Sequence, residues 1–159
     1  MTTTALVVRE PGSDWPGQIG DSTSVVAFSR GGDDLVRRTE EKLDALRRRK
    51  QSVRVAVLAC NSAAGGAAVG RRAKLAGMLL GAVSSTTCGR LILSASGGAS
   101  HEVRQELLAL AGALTEELRA TSATVSLWFT EALPGHAVRI VETRTPTAPE
   151  LHPAMGAGR

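Results

Sequence analysis

The residues best suited to chemistry lie in three short stretches, each following an apolar segment. These stretches are residues 29–33, 60–66 and 94–101, and each contains a Gly-Gly pair with Ser or Asn nearby. Each also precedes a segment of helical periodicity, so its backbone amides would lie at a helix N-terminus, where anions bind. We expect a phosphate-bearing small molecule, if one is bound, to contact Arg30, Gly31, Gly32, Asn61, Ser62, Ser96, Gly97, Gly98 and Ser100.

The same residues have a second explanation that needs no ligand. Glycine and serine are what strand-to-helix turns and helix N-caps require. None of the three stretches ends in the Gly-Lys-Ser/Thr of a phosphate-binding P-loop, and none matches the Gly-x-Gly-x-x-Gly dinucleotide pattern. The sequence therefore leaves open whether these loops bind an anion or only turn the chain.

One of the stretches carries a cysteine in a distinctive setting. Residues 59–63, Ala-Cys-Asn-Ser-Ala, resemble the first cysteine motif of the glutamate and aspartate racemases, with Ser62 in place of a threonine. The resemblance implies that Cys60 would abstract the α-proton of an amino acid. Gly89 and Arg90, which follow Cys88, do not match the second cysteine motif of that family. The alternative interpretation of Cys60 is a small buried hydrophobic residue.

Other catalytic or metal-binding patterns are not found in the sequence. His101, His136 and His152 are far apart, and no cysteine or carboxylate stands at metal-ligand spacing from them. Ser100 and His101 are adjacent but lack a third group to orient the imidazole. We predict no metal and no cofactor, and we assign no catalytic residue.

The chain is basic, with a formal net charge of +4 over 159 residues. Positive charge attracts nucleic acid at long range, but arginine is also common on the surfaces of proteins from GC-rich bacteria. With only four aromatic residues, two Trp and two Phe, the chain offers little for base stacking. We do not expect nucleic-acid binding; if it occurred, it would be electrostatic, through Arg37, Arg38, Arg47, Arg48, Arg71, Arg72 and Lys74.

Hydrophobic periodicity gives the order of the elements. Apolar runs predict strands at residues 24–29, 53–59, 90–95, 123–129 and 137–143, and a short further strand at 5–9. Helical stripes predict helices at about 33–51, 67–84 and 101–120. The last two strands are joined by a short turn and must pair antiparallel. We predict an α/β three-layer sandwich: a mostly parallel sheet of four or five strands, helices on its faces, and an antiparallel hairpin at the C-terminal edge.

These elements divide the chain into three parts. We expect residues 1–22 to form an N-terminal arm or edge strand, residues 23–144 a single α/β domain, and residues 145–159 a disordered tail. No signal peptide or bilayer-spanning segment is recognised, which favours a bacterial cytoplasmic protein.

Two functional hypotheses follow. The first is a non-enzymatic binding or interaction module that contacts a protein partner, or a second copy of itself, through the apolar helix around residues 75–83 (Leu75 to Val83). The second is a small enzyme or sensor that binds an anionic small molecule at the Gly-Gly loops. The first hypothesis is preferred because the loops lack a pair of residues that could act as nucleophile and base.

Overall fold

The computed structural model describes residues 2–13, 23–27, 34–61, 66–118, 121–134 and 137–145. Within these ranges it contains three helices and six strands. In chain order they are β1 (Thr2–Arg9), β2 (Thr23–Ala27), α1 (Leu35–Arg48), β3 (Gln51–Ala59), α2 (Gly66–Ser84), β4 (Arg90–Ser96), α3 (His101–Glu117), β5 (Thr124–Leu133) and β6 (Ala137–Arg144).

All six strands form one mixed sheet in the order β2-β1-β3-β4-β5-β6. The first five strands are parallel to their neighbours, and β6 pairs antiparallel with β5. The predicted α/β fold, with its mostly parallel sheet and antiparallel C-terminal hairpin, is therefore confirmed. The sheet has six strands rather than four or five, because the segment at the N-terminus contributes a full strand.

Residues 2–9 belong neither to an arm nor to an edge strand, although both were expected for the first 22 residues. Strand β1 lies inside the sheet, between β2 and β3, and pairs with both. Its residues Leu6, Val7 and Val8 are completely buried, as expected for a strand covered on both faces. The predicted domain boundary at residue 22 thus separates two strands of one sheet. The predicted tail after residue 145 lies outside the described residues.

Helices α1, α2 and α3 pack side by side against one face of the sheet. They share a large apolar core with strand residues such as Leu6, Leu58 and Leu93. A smaller cluster on the opposite face includes Val7, Val57 and Ile92. The predicted three-layer sandwich has helices on both faces of the sheet, whereas the three described helices all lie on the first face, so the described residues form two layers.

Helix α2 buries one apolar stripe against the sheet. The apolar residues Val69 and Ala73 near its N-terminus are exposed and do not belong to it. The buried positions are instead Arg72, Leu75, Ala76, Leu79, Leu80 and Val83, which recur at helical spacing. An arginine therefore occupies the first position of the buried stripe, where a leucine would be expected.

The strand order contains one reversal of direction. From β1 the chain moves to one side to form β2, and it then crosses to the other side to form β3 and its successors. In open α/β sheets, ligands bind beyond the carboxyl ends of the strands at such a switch point. The carboxyl ends of β1 and β3 are therefore where a site of this fold would lie.

The central position of β3 yields a simple test of the fold. Val57→Asp is expected to abolish soluble expression, because Val57 is fully buried in a strand that has neighbours on both sides and the new carboxylate would have no partner. Arg54→Asp, in the same strand but at an exposed position, should leave a folded protein. Circular dichroism of the purified variants makes the comparison, and a well-folded Val57→Asp protein would contradict the assignment of β3.

Candidate functional site

The chain leaves β1 through a tight turn at the switch point. Glu10-Pro11-Gly12-Ser13 is closed by a hydrogen bond from the Ser13 amide to the Glu10 carbonyl, 3.2 Å long. Proline at the second position and glycine with φ of +81° at the third are the requirements of a type II turn. The turn is attached to β3 because the side-chain amide of Asn61 donates to the Pro11 carbonyl at 2.9 Å.

Glu10, the first residue of this turn, forms an ion pair with Arg72 of α2. Both side chains have no solvent exposure. The Arg72 Nε lies 3.1 and 2.9 Å from the two Glu10 carboxylate oxygens, and Nη2 lies 2.8 Å from Oε1. A planar guanidinium bound to both carboxylate oxygens is the strongest geometry for such a pair. The Asn61 backbone amide also donates to Glu10 Oε1 at 2.9 Å.

Arg72 extends the network to two further elements. Its Nη1 donates to Glu106 of α3 at 3.0 Å. Its Nη2 reaches the backbone carbonyl and the side-chain oxygen of Asn61 at 3.1 and 3.2 Å. One guanidinium on α2 therefore ties together the carboxyl ends of β1 and β3 and the adjacent helix α3. We call Glu10, Asn61, Arg72 and Glu106 the arginine latch.

The charges of this region are balanced. Arg71 lies beside the latch, with its Nη2 3.8 Å from the Glu10 Oε2. Its Nε is buried without a hydrogen-bond partner. Arg71 and Arg72 contribute two positive charges and Glu10 and Glu106 two negative charges, so the cluster has no net charge to attract an anion.

A second arginine closes the next loop in the same manner. Arg104, in the first turn of α3, donates from Nη2 to the Gly97 carbonyl at 2.6 Å and from Nη1 to Glu142 of β6 at 3.0 Å. Its guanidinium also stacks over the Phe129 ring, 4.1 Å from the ring centre. The hydrogen bond from Arg104, followed by that from Arg144, lowers the pKa of the Glu142 carboxyl. At both loops, then, backbone carbonyls face an arginine.

The predicted anion-binding residues of the third loop have internal partners. The Gly97 amide donates to the Thr130 carbonyl at 2.7 Å, and the Gly98 amide donates to Ser96 Oγ at 3.1 Å. Ser100 is the N-cap of α3, and its hydroxyl accepts from the Val103 amide. These bonds are those of a strand-to-helix turn, and they occupy donors that an anion would need.

The remaining predicted contacts are distributed differently. Asn61 does lie at the switch point, but its amide nitrogens serve Glu10 and Pro11. Arg30, Gly31, Gly32 and Ser62 lie outside the described residues, and their role in anion binding stays a prediction.

Cys60 is unsuited to the chemistry that its sequence motif implies. The residue is almost fully buried, and its thiol lies 3.8 Å from the Leu58 carbonyl. Burial, and after it the nearby Glu10 carboxylate, raises the pKa of the Cys60 thiol far above its usual range. A buried thiol whose pKa is raised is poorly suited to act as a base, since the thiolate is the reactive form. The geometry favours the interpretation of Cys60 as a core residue.

The latch was missed at the sequence level for a physical reason. Glu10 and Arg72 are 62 residues apart in the chain, and nothing local to Glu10 distinguishes it from a loop carboxylate. The available signal was Arg72 itself, since an arginine three and four residues before Leu75 and Ala76 continues the buried stripe of α2. A charged residue on an apolar stripe requires a buried partner of opposite charge.

Comparisons with protein-family models, with curated proteins and with solved structures gave no significant match. Among the described residues, no group of three or more histidine, cysteine, aspartate or glutamate side chains could hold a metal ion. No helix in these ranges is both long enough and apolar enough to cross a bilayer.

Removing the latch carboxylate should destabilise the fold. Glu10→Gln leaves Arg72 with a single carboxylate partner in a buried position, and we expect the free energy of unfolding to fall by about 3–5 kcal/mol. Glu41→Gln removes a carboxylate of an exposed i,i+4 pair with Arg37 and should change it by less than about 0.5 kcal/mol. Urea unfolding followed by circular dichroism measures both, and equal effects would contradict the latch.

The two cysteines should differ in reactivity. Cys88 is exposed and Cys60 is buried, so a thiol reagent such as 5,5′-dithiobis(2-nitrobenzoic acid) should titrate one thiol in the native chain and two in guanidinium. Cys88→Ser should leave no reactive thiol in the native protein. Rapid labelling of Cys60 in native Cys88→Ser would show that it is accessible and would reopen the catalytic interpretation.

Proposed function

We propose that this chain is a non-enzymatic interaction module of a bacterial cytoplasm that binds a protein partner in a cleft between α1 and α2. The observation that carries the proposal is the cleft itself, which has a volume of about 740 Å³. It lies at the amino end of β3, whereas the arginine latch lies at the carboxyl ends of β1 and β3. The partner surface is thus separate from the edge where this fold would place a small-molecule ligand.

The lining of the cleft combines apolar and charged groups. Leu43 of α1 and Ala82 of α2 are partly buried against the core, and Met78 lies beside them with intermediate exposure. Charged residues of α1, including Glu40 and Arg47, also line the cleft. An apolar centre with a polar rim is typical of surfaces that bind protein helices.

The surface presented by α2 differs from the one predicted. Leu75, Leu79 and Val83 face the sheet and are buried, so they are not available to a partner, whereas Met78 and Ala82 line the cleft. The outward side of this segment instead carries Gly77 and Gly81, both exposed. A Cβ atom at either glycine would meet no atom within 4 Å.

Two exposed glycines inside a helix are unfavourable for the isolated chain. Each costs roughly 1 kcal/mol relative to alanine, and packing within this chain does not require them. A partner that approaches the α2 backbone closely would require them. Gly81 lines the cleft, so this requirement supports the cleft as the binding surface.

The enzymatic alternative has less support. The switch point is filled by the latch, whose charge Arg71 balances, the Cys60 thiol is buried, and the Gly97 and Gly98 amides are occupied. A nucleic-acid surface also loses one of its proposed residues, because Arg72 has no solvent exposure. The interaction module is the proposal that the cleft between α1 and α2 supports.

A photo-crosslinker placed in the cleft tests the proposal. With p-benzoylphenylalanine at Leu43, irradiation of producing cells is expected to give one dominant adduct to a protein. The same residue at Ala113, which is exposed on α3, should not give it. Gly81→Gln should abolish the adduct because the larger side chain fills the cleft. Gly70→Gln, at an exposed glycine of α2 outside the cleft, should leave it unchanged.

The partner identified from the adduct is then purified and titrated against the unmodified chain. Saturable binding that Gly81→Gln abolishes and Gly70→Gln preserves would support the module. Equal adducts from Leu43 and Ala113, or binding that is indifferent to Gly81→Gln, would overturn it.

A further inference from the structure

We propose that the partner in this cleft is a second copy of the chain, whose α1 packs antiparallel against the first α1. The proposal rests on the proposed function and names its partner. It is argued from the charges on the side of α1 that faces the cleft. Four charged residues lie there, in the order Glu40, Asp44, Arg47 and Lys50, and Leu43 stands among them.

Four of these residues form one stripe of the helix. Positions 40, 44 and 47 are spaced by four and three residues, and position 43 lies three residues after 40, which places these four on one side of α1. Lys50 continues the stripe beyond the end of the helix at Arg48, where it also lines the cleft. Acidic residues occupy the N-terminal half of the stripe and basic residues the C-terminal half. The stripe therefore has no net charge, although the whole chain carries +4.

An antiparallel copy of the same stripe is its complement. With a two-fold axis near Leu43 and Asp44, Glu40 of each copy lies opposite Arg47 of the other, because these positions are equally far from the axis. Leu43 of each copy then lies near the axis, opposite Asp44 of the other copy. A two-fold contact of this kind uses the same patch on both subunits and closes at a dimer.

The charge distribution favours a second copy over other occupants. A uniformly acidic partner, or a nucleic acid, would meet Glu40 and Asp44 at the cleft and be repelled there. A copy of the chain instead places Glu40 of each subunit opposite Arg47 of the other. Contact through this neutral stripe also keeps other arginines of α1, such as Arg38 and Arg48, away from the interface.

The second helix of the cleft completes the geometry. Because α1 and α2 both return from parallel strands, they run in the same direction with the cleft between them. The α1 of a second copy, seated in this cleft, contacts α2 as well as α1. Gly81 then permits close approach to the α2 backbone, which accounts for a glycine that the isolated chain does not need.

Charge-reversal variants test the proposal. Sedimentation velocity of the full chain, from micromolar to millimolar concentration, should show a dimer. Glu40→Arg and Arg47→Glu are expected to be monomeric when measured separately, because each variant places two pairs of like charges across the interface. When the two variants are mixed, a heterodimer should form, since both cross-interface pairs are then Arg opposite Glu.

The controls keep the same charge changes away from the cleft. Glu41 and Arg48 are exposed residues of α1 that do not line the cleft, so the variants Glu41→Arg and Arg48→Glu should still dimerise. Circular dichroism confirms that every variant is folded. A monomeric wild-type chain at all concentrations, single variants that still dimerise, or a mixture that does not associate would overturn the proposal.

The two proposals fail in different ways. A crosslinked adduct with twice the mass of the chain supports the second copy. An adduct of any other mass, together with a monomeric wild-type chain, leaves the interaction module standing and overturns the second copy as its partner. Loss of the specific adduct altogether overturns both.

Discussion

The ion pair between Glu10 and Arg72 is the constraint on which the carboxyl edge of this sheet depends. Two charges without solvent exposure are stable only if each is fully paired and hydrogen-bonded. Burial alone would lower the pKa of Arg72, but the hydrogen bonds from its guanidinium to Glu10 and Glu106 contribute to a net rise, so the group stays charged. Strand β1, which Glu10 follows, and helices α2 and α3, which carry Arg72 and Glu106, must therefore keep their positions relative to one another.

The latch determines the path of the chain where it leaves strand β1. Backbone pairing joins β1 to β2 and β3, but it does not determine where the chain goes after Arg9. The type II turn places the Glu10 side chain on the side of the sheet that the helices cover, where it pairs with Arg72. Asn61 binds the turn to the end of β3. Arg104 performs the comparable task for the loop after β4. Side chains thus donate hydrogen bonds to the Pro11, Asn61 and Gly97 carbonyls along this edge.

The fold could be predicted further than the site. The apolar runs of β3 and β4 and the stripes of α1 and α3 are local patterns, and each corresponds to an observed element. The periodicity of the hydrophobic residues gives no information on the order of the strands in the sheet. Strand β1 was therefore expected in an arm or at the edge, whereas it lies between β2 and β3. The Gly-Gly loops were recognised, but their amides could equally bond to an anion or to the protein. At Gly97 and Gly98 the bonds are made to the protein.

The proposed function follows from what the latch leaves open. The arginine latch occupies the carboxyl edge of the sheet, and the concave surface that carries the proposal is the cleft between α1 and α2, at the other end of the strands. Its lining mixes leucine, methionine and alanine with charges of both signs. This composition suits a protein partner better than a phosphate or a polyanion, and the exposed glycines of α2 point the same way.

A double-mutant cycle on the buried pair tests the central claim most directly. The free energy of unfolding is measured for the wild type, Glu10→Met, Arg72→Met and the double variant. If the two charges are buried against each other, each single variant leaves one of them without its principal partner, and the double variant removes both. We predict that the double variant is more stable than the sum of the two single changes implies, with a coupling energy of about 2 kcal/mol or more. Additive effects, with a coupling energy near zero, would mean that Glu10 and Arg72 do not depend on each other and would contradict the account.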